Sequence, residues 1–263
     1  MGGLSAYSIA FYIAPFINAV ARVGTVSEKL NLFESFLDYR AYELVKSTKR
    51  GATGQMETRV EQSVRTCQNI KSRQTKMRDE AIVEIEQDIM KNDLLNHKIL
   101  IVKMKDDDLA DIAGLIANQL VPTYHHPTLV LFRRKKIEDN TEFYVWEGSG
   151  RGDQHLGLES FNNFLKTCPQ VVFAEGHDNA FGTCIREDEL EDFINYTDEK
   201  LAGYDFSPEE RVDFIFTPQT ATPEAIFQIG SLSSIWGPEI PEAIIAIEDI
   251  KIHKDNFRVM GKK

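Results

Sequence analysis

Two glycine-bearing stretches hold the residues best suited to chemistry: Gly148-Ser149-Gly150-Arg151-Gly152 and, further on, Glu175-Gly176-His177-Asp178-Asn179-Ala180-Phe181-Gly182. The first follows an apolar run from Thr141 to Trp146. Its glycines are therefore expected just past the end of a strand, where the backbone turns tightly and can approach a ligand. Backbone N–H groups at such a turn cradle anions, Ser149 adds a hydroxyl donor, and the planar guanidinium of Arg151 matches phosphate oxygens. The same Gly-Ser-Gly spacing also serves ordinary loops. In the second stretch His177 is flanked by Gly176; a functional role and a satisfied structural histidine are both open.

Other chemistry-bearing residues carry less. Cys67, Cys168 and Cys184 have no paired spacing, which argues against zinc or a disulfide framework and fits buried thiols in a reducing compartment. His125 and His126 are adjacent and cannot share a helical face as metal ligands do, so surface or capping roles are expected. Asp106, Asp107 and Asp108 suit the first turn of a helix, where the dipole favours carboxylates, better than a metal. No metal ligands are assigned.

Charge is segregated. The chain carries a formal net charge of −11, yet residues 41–80 hold nine Lys or Arg against five Asp or Glu, and Arg133-Arg134-Lys135-Lys136 adds a second basic run. Residues 186–213 reverse this, with eleven acidic against three basic side chains. An acidic chain can still bind nucleic acid through one local basic face, while a basic run can equally be a solvated helix surface.

The elements that must position these residues read as α/β. The opening, Ile9 to Gly24, is too apolar for a free tail, but it lacks a basic leader and is interrupted by Pro15, Asn18 and Arg22, so neither signal peptide nor membrane span is expected and the protein reads as cytoplasmic. A helix is predicted over Ser27 to Lys46 with Ser27 as its N-cap, ended by Gly51-Ala52-Thr53-Gly54. Apolar residues from Met56 to Ile89 then recur at helical spacing without Gly or Pro, predicting one long helix of about 50 Å between Gln55 and Lys91. After Asn96 the pattern changes to strand (Lys98 to Met104), helix (Leu109 to Leu120) and strand (Pro127 to Phe132), a unit whose natural product is a parallel pair. Leu156 to Cys168 and Glu187 to Leu201 read as helices and Val171 to Phe173 as the start of a strand. Beyond Gly203 a linker precedes alternating stretches that predict a β-rich tail. The boundaries are 1–54, an N-terminal helical segment; 55–95, a long connecting helix; 96–202, a mixed-sheet domain; and 203–263, the tail.

Together the two glycine stretches resemble the paired signatures of the DHH-associated domain at the C-terminal side of DHH-superfamily phosphoesterases, in its RecJ branch. Gly148, Ser149 and Arg151 match the first signature and Gly176, His177, Ala180 and Gly182 the second; Gly152 stands where the family has Ser, and Glu175 where it has Gly. Pro15, Asn18, Ala19 and Arg22 are similar to a family segment beside the substrate, with Phe16 in place of Arg and Ala21 in place of Gly. Asn69, Arg73 and Gln74 resemble an element of the family's connecting helix, and Ala113 to Asn118 with Tyr124 to Leu131 its helix and following strand. The tail, with Gly237 and Arg258 to Lys262, is similar to the start of an oligonucleotide-binding-like region.

The resemblance implies a substrate-binding C-terminal portion of a metal-dependent, 5′-to-3′ single-stranded-DNA exonuclease. Ser149 and Arg151, with Gly148, Gly150 and Gly176, would grip a phosphate, Asn18 and Arg22 would bind substrate, and His177 would bind and assist. The Mn or Mg of the complete enzyme would be held by a DHH motif that this sequence lacks, on a separate DHH-domain chain or another segment, so little hydrolysis is expected from these residues alone. The implied partner is single-stranded DNA, with RNA or short oligonucleotides as further ligands. Two other readings stand beside it: part of a phosphodiesterase for short oligonucleotides or cyclic dinucleotides, and a non-catalytic interaction module.

Overall fold

The structure, a computed structural model, describes residues 6–138, 140–207, 212–236, 240–251 and 253. A short α1 (Ala6–Ser8) passes through a π-helical stretch, Ile9–Ile13, into α2 (Ala14–Val23), where Pro15 occupies a first-turn position that needs no N–H. The predicted Ser27 to Lys46 helix is in fact three elements: α3 (Val26–Ser35), α4 (Asp38–Ala41) and strand β1 (Leu44–Lys46). Its start is fixed by Thr25, not Ser27: the Thr25 hydroxyl accepts from the Glu28 N–H while Glu28 accepts from the Thr25 N–H, a reciprocal capping box. β1 pairs antiparallel with β2 (Met56–Thr58) through a turn in which Gly51 and Gly54 both take φ +82°, a region that favours glycine.

The long helix α5 (Arg59–Lys91) begins on a second capping box, Thr58 with Glu61, four residues later than periodicity alone suggests. Its first half packs Cys67 and Ile70 against Ala19 and Val20 of α2. Its second half packs Ala81, Ile82, Ile85 and Ile89 into the core on one face of a sheet.

That sheet has the order β3-β4-β5-β7-β6, from β3 (Leu100–Met104), β4 (Thr128–Glu138), β5 (Thr141–Arg151), β6 (Val171–His177) and β7 (Ala180–Arg186). β3 and β4 are parallel, joined through a 3-10 stretch, Asp107–Ile112, and α6 (Ala113–Tyr124); the remaining pairs are antiparallel, so the sheet is mixed. Leu100, Val102, Val130 and Phe132 face α5 and α6, where they meet Ile112, Ile116 and Leu120. Ile101, Leu129, Leu131, Phe181 and Ile185 face the other way, under Phe161 and Leu165 of α7 (Phe161–Lys166) and Leu190 and Phe193 of α8 (Leu190–Lys200). Each fully buried aliphatic or aromatic side chain here stabilises the fold by roughly 1.5–3 kcal/mol.

By contacts the chain forms two units, Met1–Ser207 and Pro208–Lys263. In the second, β8 (Phe214–Phe216) pairs parallel with β9 (Ile245–Ile247), and α9 (Pro223–Gly230), capped by Thr222, is a helix that the alternating pattern did not announce. The tail features near Gly237 and from Phe257 to Lys262 lie outside the described residues. Among the described residues no helix is long and apolar enough to cross a membrane.

Candidate functional site

Gly148 to Arg151 lie inside β5, not in a turn beyond it, and are paired on both sides, with β4 and with β7. Their backbone amides therefore belong to the sheet ladder, and the expected amide cradle for a phosphate is not formed by this stretch. The glycines answer to packing instead. A Cβ at Gly148 would collide with the Val130 carbonyl, and one at Gly150 would sit 2.5 Å from the Phe181 ring and 3.1 Å from Leu129 Cδ2. Periodicity missed this because a glycine in a strand and a glycine in a turn look alike until the neighbouring backbone is known.

The register makes a different site. In antiparallel pairing, directly opposed residues project to the same face. Ser149, Gly182 and Glu175 form one row across β5, β7 and β6, and Arg151, Ala180 and His177 form the next. Gly182 adds no side chain to its row; a Cβ there would fit at van der Waals distance, 3.8 Å from the Gly148 carbonyl and 3.9 Å from the Phe173 ring. The register thus makes a strip along β7 with the small residues Gly182 and Ala180 at its centre, Ser149 and Arg151 on one side and Glu175 and His177 on the other, roughly 10 Å from strand to strand across it, referred to below as the furrow. Glu175 and His177 are exposed.

The β6–β7 hairpin that presents His177 is clamped by α7. The buried Asn162 side chain donates to the carbonyls of Gly176 (3.1 Å) and His177 (3.2 Å), and its N–H donates to the Asp178 carbonyl (2.8 Å). Ser160 donates to Asp178 (2.7 Å), and the Phe161 N–H to the Asn179 side chain (3.2 Å). Gly176 sits at φ +139°, where a Cβ would also lie 2.8 Å from the Ala180 carbonyl, so glycine is required.

Arg151 is half-buried. Its guanidinium donates to the Gly150 carbonyl (2.7 Å) and leans against Gly114 of α6 rather than across the furrow toward His177. Burial first, and the charge of Arg22 second, hold its pKa below the ordinary arginine value. Arg22, in the last turn of α2, is near enough for its charge to be felt at Arg151 although it comes from a distant part of the sequence; Asn18 lies one turn earlier on the same side of that helix and is exposed. Lys71 of α5 joins them: burial, then Arg78 and Arg22, hold its pKa down, and it donates to the Gln74 side chain (3.1 Å). Gln74 is buried and its amide nitrogen has no partner among the described residues. Sequence reasoning pointed to Gln74 and passed over Lys71; the i, i+3 spacing on a polar stripe of α5 was the available signal. Arg73 is turned elsewhere, donating to the Val23 carbonyl (2.7 Å) and to Glu28 (3.3 Å), and ties α5 to the α2–α3 link.

The basic runs, by contrast, are neutralised from within. Arg133 forms a two-pronged bond with Glu187 (2.7 Å) and stacks on Tyr144 at 3.7 Å; Arg134 pairs with Asp107, Lys135 with Glu142 and Lys136 with Glu147. Arg59 meets Glu34 and Glu43, and Arg65 meets Glu57. Among the described residues every arginine except Arg22, Arg50 and Arg151 has a carboxylate partner.

The donor set does not fit a manganese or magnesium pair. Among the described residues no three His, Cys, Asp or Glu side chains group as a metal site would need. Asp106 caps the Asp108 N–H (3.0 Å), and Asp107 is held by Arg134. His125 forms the left-handed C-cap of α6, and His126 Nδ1 lies 2.6 Å from the Tyr124 carbonyl oxygen. The thiols are buried, and burial pushes Cys168 up to about 11.

No family model matches the chain. It is 32% identical over 267 residues to a Bacillus subtilis protein that carries the name of an SPbeta prophage-derived single-strand DNA-specific exonuclease, YorK, a match covering 100% of this chain and 45% of the relative. It is 25% identical over 256 residues to the single-stranded-DNA-specific exonuclease RecJ of Bacillus subtilis, covering 95% of this chain and 28% of RecJ. The chain thus spans under half the length of the curated relatives it matches. Its fold is similar to that of RecJ from Thermus thermophilus in complex with Mn2+, with a TM-score of 0.56, 17% identity, and coverage of 92% of this chain and 32% of the other. The Mg2+ complex of the same protein gives a TM-score of 0.54.

Proposed function

From the premise that the chain is RecJ-like, related to the single-strand DNA-specific exonucleases, we propose that it is a substrate-holding portion of such an enzyme and grips single-stranded DNA by its phosphates. The observation that carries this reading is Arg151, half-buried, seated on its own Gly150 carbonyl and without a carboxylate partner among the described residues, with the charge of Arg22, likewise without one, felt beside it, in a protein whose other arginines are almost all paired. Two like charges near one another, both half-buried, are unfavourable until an anion joins them; a phosphate at Arg151 gains charge-assisted hydrogen bonds and the attraction of Arg22. Lys71 extends the cationic surface along α5, and the sugar-phosphate chain passes along the furrow beside Ser149 and Gly182. His177 stands on the far side, where it binds the strand and assists near the bond to be cut. The metals of the complete enzyme, manganese or magnesium in this reading, are held outside the described residues, by another segment or by a separate DHH-domain chain.

The test is the affinity of the chain for a fluorescent single-stranded oligothymidylate. Each charge-assisted contact contributes roughly 1.5–3 kcal/mol, so Arg151→Ala should weaken binding about tenfold or more. An Arg151→Ala protein that binds as tightly as the parent removes Arg151 from the site.

A docking role is favoured by a second observation: Tyr7, Phe11, Tyr12, Phe33 and Phe36 are all exposed on the N-terminal helices. This surface suits the protein segment or chain that supplies the metals. Association on mixing with a RecJ-type DHH domain, seen as a mass increase in sedimentation, is the expected result.

A further inference from the structure

We propose that Gly114 is a positioning residue for Arg151: the missing side chain on α6 is what seats the guanidinium where it meets the strand. The inference rests on the reading of Arg151 given above.

Gly114 is buried and occupies the first turn of α6. Its φ lies outside the left-handed region, so the backbone gives no reason for glycine there, and a glycine in a helix is destabilising by roughly 0.5–1 kcal/mol relative to alanine. The reason is steric and points to one group. The nearest three heavy atoms to a Cβ built at Gly114 all belong to the Arg151 guanidinium: it would overlap Nη2, sit 3.1 Å from Cζ and 3.7 Å from Nη1. Gly148 differs, since its Cβ would strike the fixed backbone of β4, and so does Gly150, crowded by the core ring of Phe181.

The guanidinium is thus located from two sides, by the Gly150 carbonyl it donates to (2.7 Å) and by the flat patch of α6 that Gly114 leaves bare. The charge of Arg22 is felt at this guanidinium. A methyl group at position 114 displaces the far end of a flexible side chain and nothing else close by. The fold is kept and the direction of the donors is lost, and recognition of a phosphate by a planar fork depends on that direction.

The experiment compares four full-length proteins, the parent, Gly114→Ala, Arg151→Ala and the double variant, for thermal midpoint and for affinity to fluorescent oligothymidylate. The expected result is a Gly114→Ala midpoint equal to or above the parent's, an affinity loss of about three- to tenfold, and a double variant that binds no more weakly than Arg151→Ala alone. Parental affinity in Gly114→Ala while Arg151→Ala is weakened overturns the role of Gly114 and leaves that of Arg151. Losses that simply add in the double variant overturn it too, because they show the two residues acting independently. If Arg151→Ala binds like the parent, the reading beneath the inference falls and takes the inference with it. Should Gly114→Ala lower the midpoint, the double variant decides: recovery to the Arg151→Ala midpoint supports the contact, and no recovery overturns it.

Discussion

At the scale of single residues, the proposed site sets cations without carboxylate partners against one anion. Glu175 projects from the side opposite Ser149, with only Gly182 between them, into a furrow proposed to carry phosphates. Replacing its charge should help: Glu175→Gln is expected to raise single-strand affinity about two- to fivefold at low salt, the size of a screened, surface charge interaction, and the gain should shrink as salt rises. Titrations at two salt concentrations check this. Ser149 and Arg151 were candidates in the sequence because their types beside glycines suit an anion, and Gly176, His177 and Arg22 because they match the family's motifs. Their arrangement was not. That Arg151 leans on Gly114 and away from His177 depends on the packing of α6 over β5, and no local pattern encodes it.

At the scale of elements, the entry to α5 is held by a carboxylate cluster that no periodicity reveals. Arg65 grips both oxygens of Glu57 at 2.5 Å, and Gln62 and the Thr48 N–H add bonds at 3.3 Å. The Arg65 bond in particular holds the Glu57 pKa at about 2, below the ordinary 4.5. The folded state then binds fewer protons than the unfolded one across that interval, so the stabilisation is complete above about pH 4.5 and is lost as pH falls toward about 2. Glu57→Gln should flatten the fall in urea midpoint over that window and leave its slope at neutral pH unchanged. Long α5 was plain from its apolar spacing and freedom from Gly and Pro, whereas Ser27 to Lys46 misled because α3, α4 and β1 follow one another with apolar residues still near helical spacing. The break near Phe36 and Leu37 has no Gly or Pro to mark it.

At the scale of the whole molecule, a net charge of −11 repels nucleic acid everywhere except where unpaired cations collect. The pairing of Arg133, Arg134, Lys135 and Lys136 with carboxylates offsets the charge of the most conspicuous basic run. Binding should therefore rest on about two or three phosphates, giving a slope of log affinity against log salt of roughly −1.4 to −2.1. A slope steeper than about −4 would mean that a broad basic surface takes part after all. The long helix has one more consequence. Its front half carries α2, and with it Arg22, while its rear half is keyed to the sheet that carries Arg151. Those two tips behave like the jaws of a caliper whose opening is set by the beam. Bending the beam by roughly 10° over an arm of about 15 Å would move one tip by about 2.5 Å, close to the full length of a hydrogen bond. In the proposed grip, the span is gauged by the straightness of the rod between them.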